Sequence, residues 1–189
     1  MYAQQNIAGE YYLQGVMETA SGFKLDEDST FQFFFSYGAL DRYGKGKWSI
    51  SNNKIILNSK PYPGKDFKMV SSEKKNDYFI TVRIQNSNPN VYRWVHCLVT
   101  TNEGDTLFDA TRDGVIQLPP TTDSIRIVSE FCSERISSFP VDNKFNYFTF
   151  QFEPWAPEVF FNNFELQFVT DHLEGKHPLL NDKIYEYVK

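Results

Sequence analysis

Between Gly9 and Leu57 short strand-forming runs alternate with turn-forming ones at regular intervals, and this layout leaves little room for anything but antiparallel β-structure. Gly9-Glu10-Tyr11-Tyr12-Leu13 opens a strand. Asp26-Glu27-Asp28-Ser29-Thr30 turns the chain between Gly22-Phe23-Lys24-Leu25 and Phe31-Gln32-Phe33-Phe34-Phe35. Gly44 to Ile50 follows, then a Ser51-Asn52-Asn53 turn and the apolar Lys54-Ile55-Ile56-Leu57. Phe31, Phe33 and Phe35 share one face of their strand while Phe34 points the other way, because successive strand side chains alternate.

The rest of the chain repeats this grammar. Lys60-Pro61-Tyr62-Pro63-Gly64-Lys65 breaks both sheet and helix, and it is taken as the boundary between residues 1–62 and 63–189. Beyond it, strands are predicted over Asp77 to Ile84, Val91 to Thr100, Thr106 to Ala110, Val115 to Pro120, Ser124 to Phe131 and Asn146 to Phe152. Asn102-Glu103-Gly104-Asp105 is read as a turn. Two further alternating runs, Asn163 to Val169 and Asp182 to Val188, complete the tail, and Glu158 to Phe161 is given one helical turn. Eighteen Phe and 11 Tyr in 189 residues suit pleated, half-buried surfaces better than helices.

Two partial family resemblances sharpen this all-β reading. Gly9-Glu10-Tyr11 and Gly46-Lys47-Trp48, followed by Ile55-Ile56-Leu57, resemble the opening meander of lipocalin-like bacterial envelope proteins. The segment is short for a complete calyx, so the resemblance implies a meander or half-barrel. Gly104-Asp105-Thr106, then Ala110-Thr111-Arg112-Asp113-Gly114-Val115-Ile116-Gln117-Leu118-Pro119 and the strand Ile125 to Val128, resemble transthyretin-like domains. These are the small β-sandwiches also found as regulatory modules of carboxypeptidases. The expected fold is therefore a lipocalin-like meander over 1–62 followed by a transthyretin- or Ig-like sandwich over 63–189. Such modules bind or brace other molecules.

Charge and motifs narrow the function. A net charge of −5 argues against a phosphate-backbone partner. No apolar run is long enough for a membrane-spanning helix. Met1-Tyr2-Ala3-Gln4-Gln5 resembles what remains after export-signal cleavage, which points to a secreted or periplasmic, envelope-located protein; an ordinary polar N-terminus gives the same pattern. Cys97 and Cys132 are two strand-borne cysteines, either joined in a disulfide or buried as free thiols.

No nucleophile elbow, phosphate loop or dinucleotide fingerprint is present, and no cofactor is expected. His172 and His177 with Asp171 and Glu174 are read as a solvated hairpin loop rather than a metal site, because they lack helical ligand spacing. Asp26-Glu27-Asp28 is turn chemistry rather than a calcium loop. His96 and Cys97 are adjacent strand residues and face opposite ways.

Aromatic side chains remain as the candidate contacts. Tyr37, Tyr43 and Trp48 are expected to line a shallow groove, and Trp155 stands in a proline-stiffened loop. The functional expectation is a non-catalytic binding protein for a protein, a glycan or a small apolar ligand. A hydrolase with an unrecognised carboxylate pair and a structural assembly subunit are the alternatives.

Overall fold

The alternation of Phe31, Phe33 and Phe35 puts all three rings inside a closed barrel in the computed structural model, which describes residues 7–101 and 104–189. The N-terminal Met1 to Gln5 pattern and the Asn102-Glu103 half of the expected turn lie outside the described residues. Along the chain the strands are β1 (Gly9–Leu13), β2 (Thr19–Leu25), β3 (Thr30–Tyr37), β4 (Leu40–Ser51), β5 (Lys54–Asn58), β6 (Phe67–Glu73), β7 (Ile80–Gln85), β8 (Val95–Thr101) and β9 (Gly104–Asp109). There follow β10 (Val115–Leu118), β11 (Ser124–Ser129), β12 (Ile136–Pro140), β13 (Tyr147–Phe152), β14 (Glu158–Val159), β15 (Phe164–Val169), β16 (His172–Lys176) and β17 (Ile184–Val188). The chain forms two compact units, one from Met1–Tyr62 with Pro157–Lys189 and the other from Pro63–Ala156.

In the first unit the sheet runs β4-β3-β2-β1-β17-β16-β15-β5, and β5 pairs back onto β4. The result is a closed, eight-stranded antiparallel barrel in which every strand neighbours the next barrel strand in sequence. This corrects two expectations. The meander is neither open nor half a barrel. The runs after Asn163 do not join the second unit, because Phe164 to Gln167 pairs with Lys54 to Leu57 and Leu13 pairs with Tyr187, which closes the ring. The second unit is thus an insertion between two neighbouring barrel strands.

Turn chemistry sets the barrel's hairpins. Asn52 and Asn53 both take positive φ, the backbone that a tight two-residue hairpin requires. At the acidic turn the Asp28 carboxylate accepts from the amide and hydroxyl of Thr30, and these bonds hold it below the usual carboxylate range. Trp48 closes over the same turn, its indole N–H donating to the Asp26 carbonyl at 3.0 Å.

The barrel interior is filled. Tyr11, Phe23, Phe31, Phe33, Ile55, Leu57, Leu166, Leu173 and Tyr187 are buried in it. Phe161, carried in on the segment after β14, packs edge-on to Phe31 at 5.1 Å and Phe33 at 5.4 Å. Gly44 makes the room, since a Cβ there would lie 2.6 Å from the Phe161 ring. Glu158 and Val159 are a short strand parallel to β4, not the helical turn expected from sequence.

The second unit stacks two four-stranded sheets, β10-β7-β13-β6 and β12-β11-β8-β9, on a shared core. Phe150 of one sheet meets Phe139 of the other at 4.7 Å. Gly114 supplies the positive φ of the Asp113-Gly114 turn. The strand expected from Val91 begins only at Val95. Asn88 caps a 3-10 helix over Pro89–Trp94 by accepting from the Asn90 amide, and Pro89 sits at its first turn.

Candidate functional site

Phe34, the one ring that breaks the inward series in β3, is half-exposed on the outer wall of the barrel. Strand register gives it neighbours. Phe34 stands opposite Tyr43 of β4 on one side and Gly22 of β2 on the other. Gly22 stands opposite Tyr12 of β1, and Tyr12 opposite Val188 of β17. Tyr12, Phe34 and Tyr43 are 45%, 40% and 44% exposed, so one in-register row of aromatic side chains crosses the outer wall.

Gly22 is what lets the row close up. Tyr12 and Phe34 lie two strands apart, roughly 10 Å between backbones. With no side chain between them their rings meet edge-on at 6.1 Å. A Cβ on Gly22 would lie 3.0 Å from the Phe34 ring and 2.3 Å from the Tyr11 carbonyl oxygen. Ring contact across a bare glycine shields a backbone that would otherwise face water.

The rungs beside the row are mostly polar. Glu10, Lys24, Gln32 and Lys45 are paired in sequence across one flank. Ala20, Ser36 and Asp41 form the other. The Tyr12 hydroxyl donates to Glu10 at 2.6 Å, and this bond and the Glu10 charge raise the Tyr12 pKa. An apolar centre with a charged rim of both signs has the composition of a contact surface for a folded partner.

The four aromatic residues singled out from sequence do not converge. Tyr43 and Trp48 leave β4 on opposite faces, Tyr43 outward and Trp48 inward against the barrel core. Tyr37 is exposed at the tip of the β3–β4 hairpin, opposite Leu40. Trp155 belongs to the second unit, where its indole N–H donates to the Lys65 carbonyl at 2.8 Å. Together with Phe67, Met69 and Phe139 it borders a depression of about 350 Å³. Only Tyr43 joins the row. Tyr12 and Phe34, its actual neighbours, carried one signal in the sequence: each sits directly beside an inward-facing aromatic and must therefore face out.

No protein-family model, curated protein or solved structure matches this chain.

The histidines and cysteines have structural surroundings. His177 is buried at the barrel's inner wall and is no part of a solvated loop. The Leu179 amide donates to its Nδ1 at 3.0 Å, so Nε2 carries the proton and donates to Ser21 Oγ at 3.0 Å. The Ser21 hydroxyl in turn donates to the Phe34 carbonyl at 2.7 Å. This is the reverse of a serine–histidine nucleophile pair, in which Nε2 accepts from the serine. Burial pushes the His177 pKa down to about 4. His172 stands on β16 among Asp171, Glu174 and Glu186, and the Glu174 and Asp171 bonds raise its pKa.

His96 faces out of its sheet between Asp109 at 2.8 Å and Glu130 at 2.9 Å, whereas Cys97 beside it is sealed in the core. Cys97 and Cys132 are both free, so the bridge that the sequence allowed is not formed. Burial pushes each thiol up to about 12, far from the thiolate that disulfide or metal chemistry uses.

Proposed function

We propose that this chain is a non-catalytic binding protein, secreted or held in the cell envelope, that engages a partner protein through the outer wall of its barrel. The observation that carries this reading is the Tyr12–Phe34–Tyr43 row, three half-exposed rings brought together by strand register over Gly22. Tyr and Phe are enriched at protein interfaces relative to the rest of the surface. The packed barrel interior supports a wall contact rather than a swallowed ligand. The 64° angle between the Tyr12 and Phe34 planes favours a shaped protein surface over the flat face of a polysaccharide.

The up-and-down strand order and the Gly46-Lys47-Trp48 strand support a lipocalin-like reading of the barrel. The Asp113-Gly114 turn leading to Leu118-Pro119, within two stacked four-stranded sheets, supports a transthyretin-like reading of the second unit.

A photo-crosslinking amino acid placed at Phe34 or Tyr43 tests the site, with Lys183 as the exposed control position. The expected result is a discrete crosslinked protein from positions 34 and 43 and none from 183. Phe34→Ser and Tyr43→Ser are each expected to weaken binding of that purified protein at least tenfold, about 1.4 kcal/mol, while changing stability by under about 1 kcal/mol. Crosslinks solely to a second copy of the chain, with sedimentation that depends on concentration, would establish the assembly-subunit alternative instead.

A further inference from the structure

We infer that the second unit carries a separate site for a small polyhydroxylated ligand, a monosaccharide or the terminal sugar of a glycan. The site is a hollow of about 340 Å³ between the end of β8, the β10–β11 turn and the start of β11. That volume lies at the low end of the range for small-molecule pockets. Val99 and Pro119 give it an apolar wall. Thr121 and Thr122 bring hydroxyls, and Asp123 and Arg126 bring one carboxylate and one guanidinium, while the hydroxyls of Thr100 and Ser124 already donate to Asp105 at 2.6 Å and to the Phe139 carbonyl at 3.5 Å.

Three features point to a ligand rather than to packing. Thr122 is more than nine-tenths buried, and its hydroxyl has no hydrogen-bond partner among the described residues. A buried hydroxyl without a partner destabilises the fold, and such groups call for an explanation. The turn that bears it is built firmly, the Thr122 amide donating to the Pro119 carbonyl at 3.1 Å and the Val141 amide to the Asp123 carbonyl at 2.9 Å. Among the described residues Arg126 engages Thr100 Oγ1 at 2.5 Å and Asp105 at 3.5 Å through Nη1 alone, and the rest of its donor fork is offered to a ligand.

The charge balance selects the ligand class. Asp105 already offsets Arg126, and Asp123 adds a second negative charge at the rim, so a free anion is disfavoured. A sugar fits the inventory. Its vicinal hydroxyls take a guanidinium donor and a carboxylate acceptor together, and its C–H face suits Val99 and Pro119.

Ligand-detected NMR with D-glucose, D-galactose, D-mannose and N-acetylglucosamine tests the assignment on the full chain, with phosphate and acetate as controls. At least one sugar should bind, and neither anion should. Asp123→Asn and Arg126→Gln should each weaken that binding roughly tenfold or more. Thr122→Val should weaken it too while raising, not lowering, the melting temperature of the unliganded protein, because the partnerless hydroxyl is gone. Thr121→Val, at an exposed position, keeps the test readable if Arg126→Gln fails to fold. Absence of binding by all four sugars, binding indifferent to these substitutions, or preference for the anions would each overturn the site.

Discussion

Removing either half of the Asp66–Arg135 pair is expected to destabilise the second unit by about 3–5 kcal/mol. The side chains are 2% and 11% exposed, and Arg135 Nε lies 2.9 Å from Asp66 Oδ2. The pair also sits at a junction of backbone bonds. The Asp66 amide donates to Ser137 Oγ at 2.8 Å, and the Glu153 amide donates to the Asp66 carbonyl at 2.8 Å. Arg135 Nη2 donates to the Ala156 carbonyl at 2.5 Å. The ion pair thus links the residue before β6 to the approach to β12, and Arg135 Nη2 ties both to the segment after β13, while the Asp66 backbone bonds hold the same junction independently of its side chain. A buried Asp66 without Arg135 has no water to turn to, which makes Arg135→Met the more expensive variant, while in Asp66→Asn the Arg135 Nε keeps Glu134 at 3.6 Å. Arg135→Met and Asp66→Asn, each followed by urea unfolding, should lose stability on this scale, and the double variant should recover a large part of it. Single-variant losses below about 1 kcal/mol would show that the pair is solvated and structurally idle.

Acid should weaken the barrel through His177. Its pKa is about 4 in the fold, lowered by burial, against 6.5 in the unfolded chain. Between these values the unfolded state binds the extra proton and the folded state does not, so stability falls as pH falls through that window. Above about pH 6.5 the penalty is absent, and below about pH 4 it is complete. Multiplying the shift by 1.36 kcal/mol per unit gives a total of roughly 3 kcal/mol. The chemistry behind it is specific. A protonated ring would present an Nδ1–H to the Leu179 amide that now donates to Nδ1, among the rings of Phe33, Phe35 and Tyr187. His177→Asn retains an acceptor near Nδ1 without the titratable ring. It should be less stable than the parent at neutral pH but should lose this part of the slope between pH 6.5 and 4. An unchanged slope in the variant would assign the acid sensitivity to other groups.

Local rules were sufficient wherever the determinant is itself local. The period-2 aromatics of β3 and β13, the Asn52-Asn53 hairpin and the Gly114 turn are all written in consecutive residues. What could not be read is pairing across long separations. Nothing near Phe164 says that its strand will meet Leu57, and that contact decides both barrel closure and the true extent of the first unit. Burial of His177 has the same origin, since the residues that cover it come from β2, β3 and β17. The candidate site was half legible. Phe34 is visibly out of step with Phe31, Phe33 and Phe35, yet its meeting with Tyr12 depends on Gly22 lying between them in register. Trp48 was misplaced by proximity in sequence, because a strand sends Tyr43 and Trp48 to opposite faces. Val91 to Trp94 has strand-like composition, but the Asn88 cap and Pro89 favour a helical turn.

The central claim is that the barrel wall, and not the barrel interior, is the binding surface. Titration of the intact protein with a long-chain fatty acid, followed by tryptophan fluorescence and native mass spectrometry, tests it most directly. The filled interior of Phe23, Phe31, Phe33 and Phe161 predicts no saturable one-to-one uptake. Stoichiometric binding that persists in the Phe34→Ser, Tyr43→Ser double variant would place the ligand inside the barrel and contradict the account.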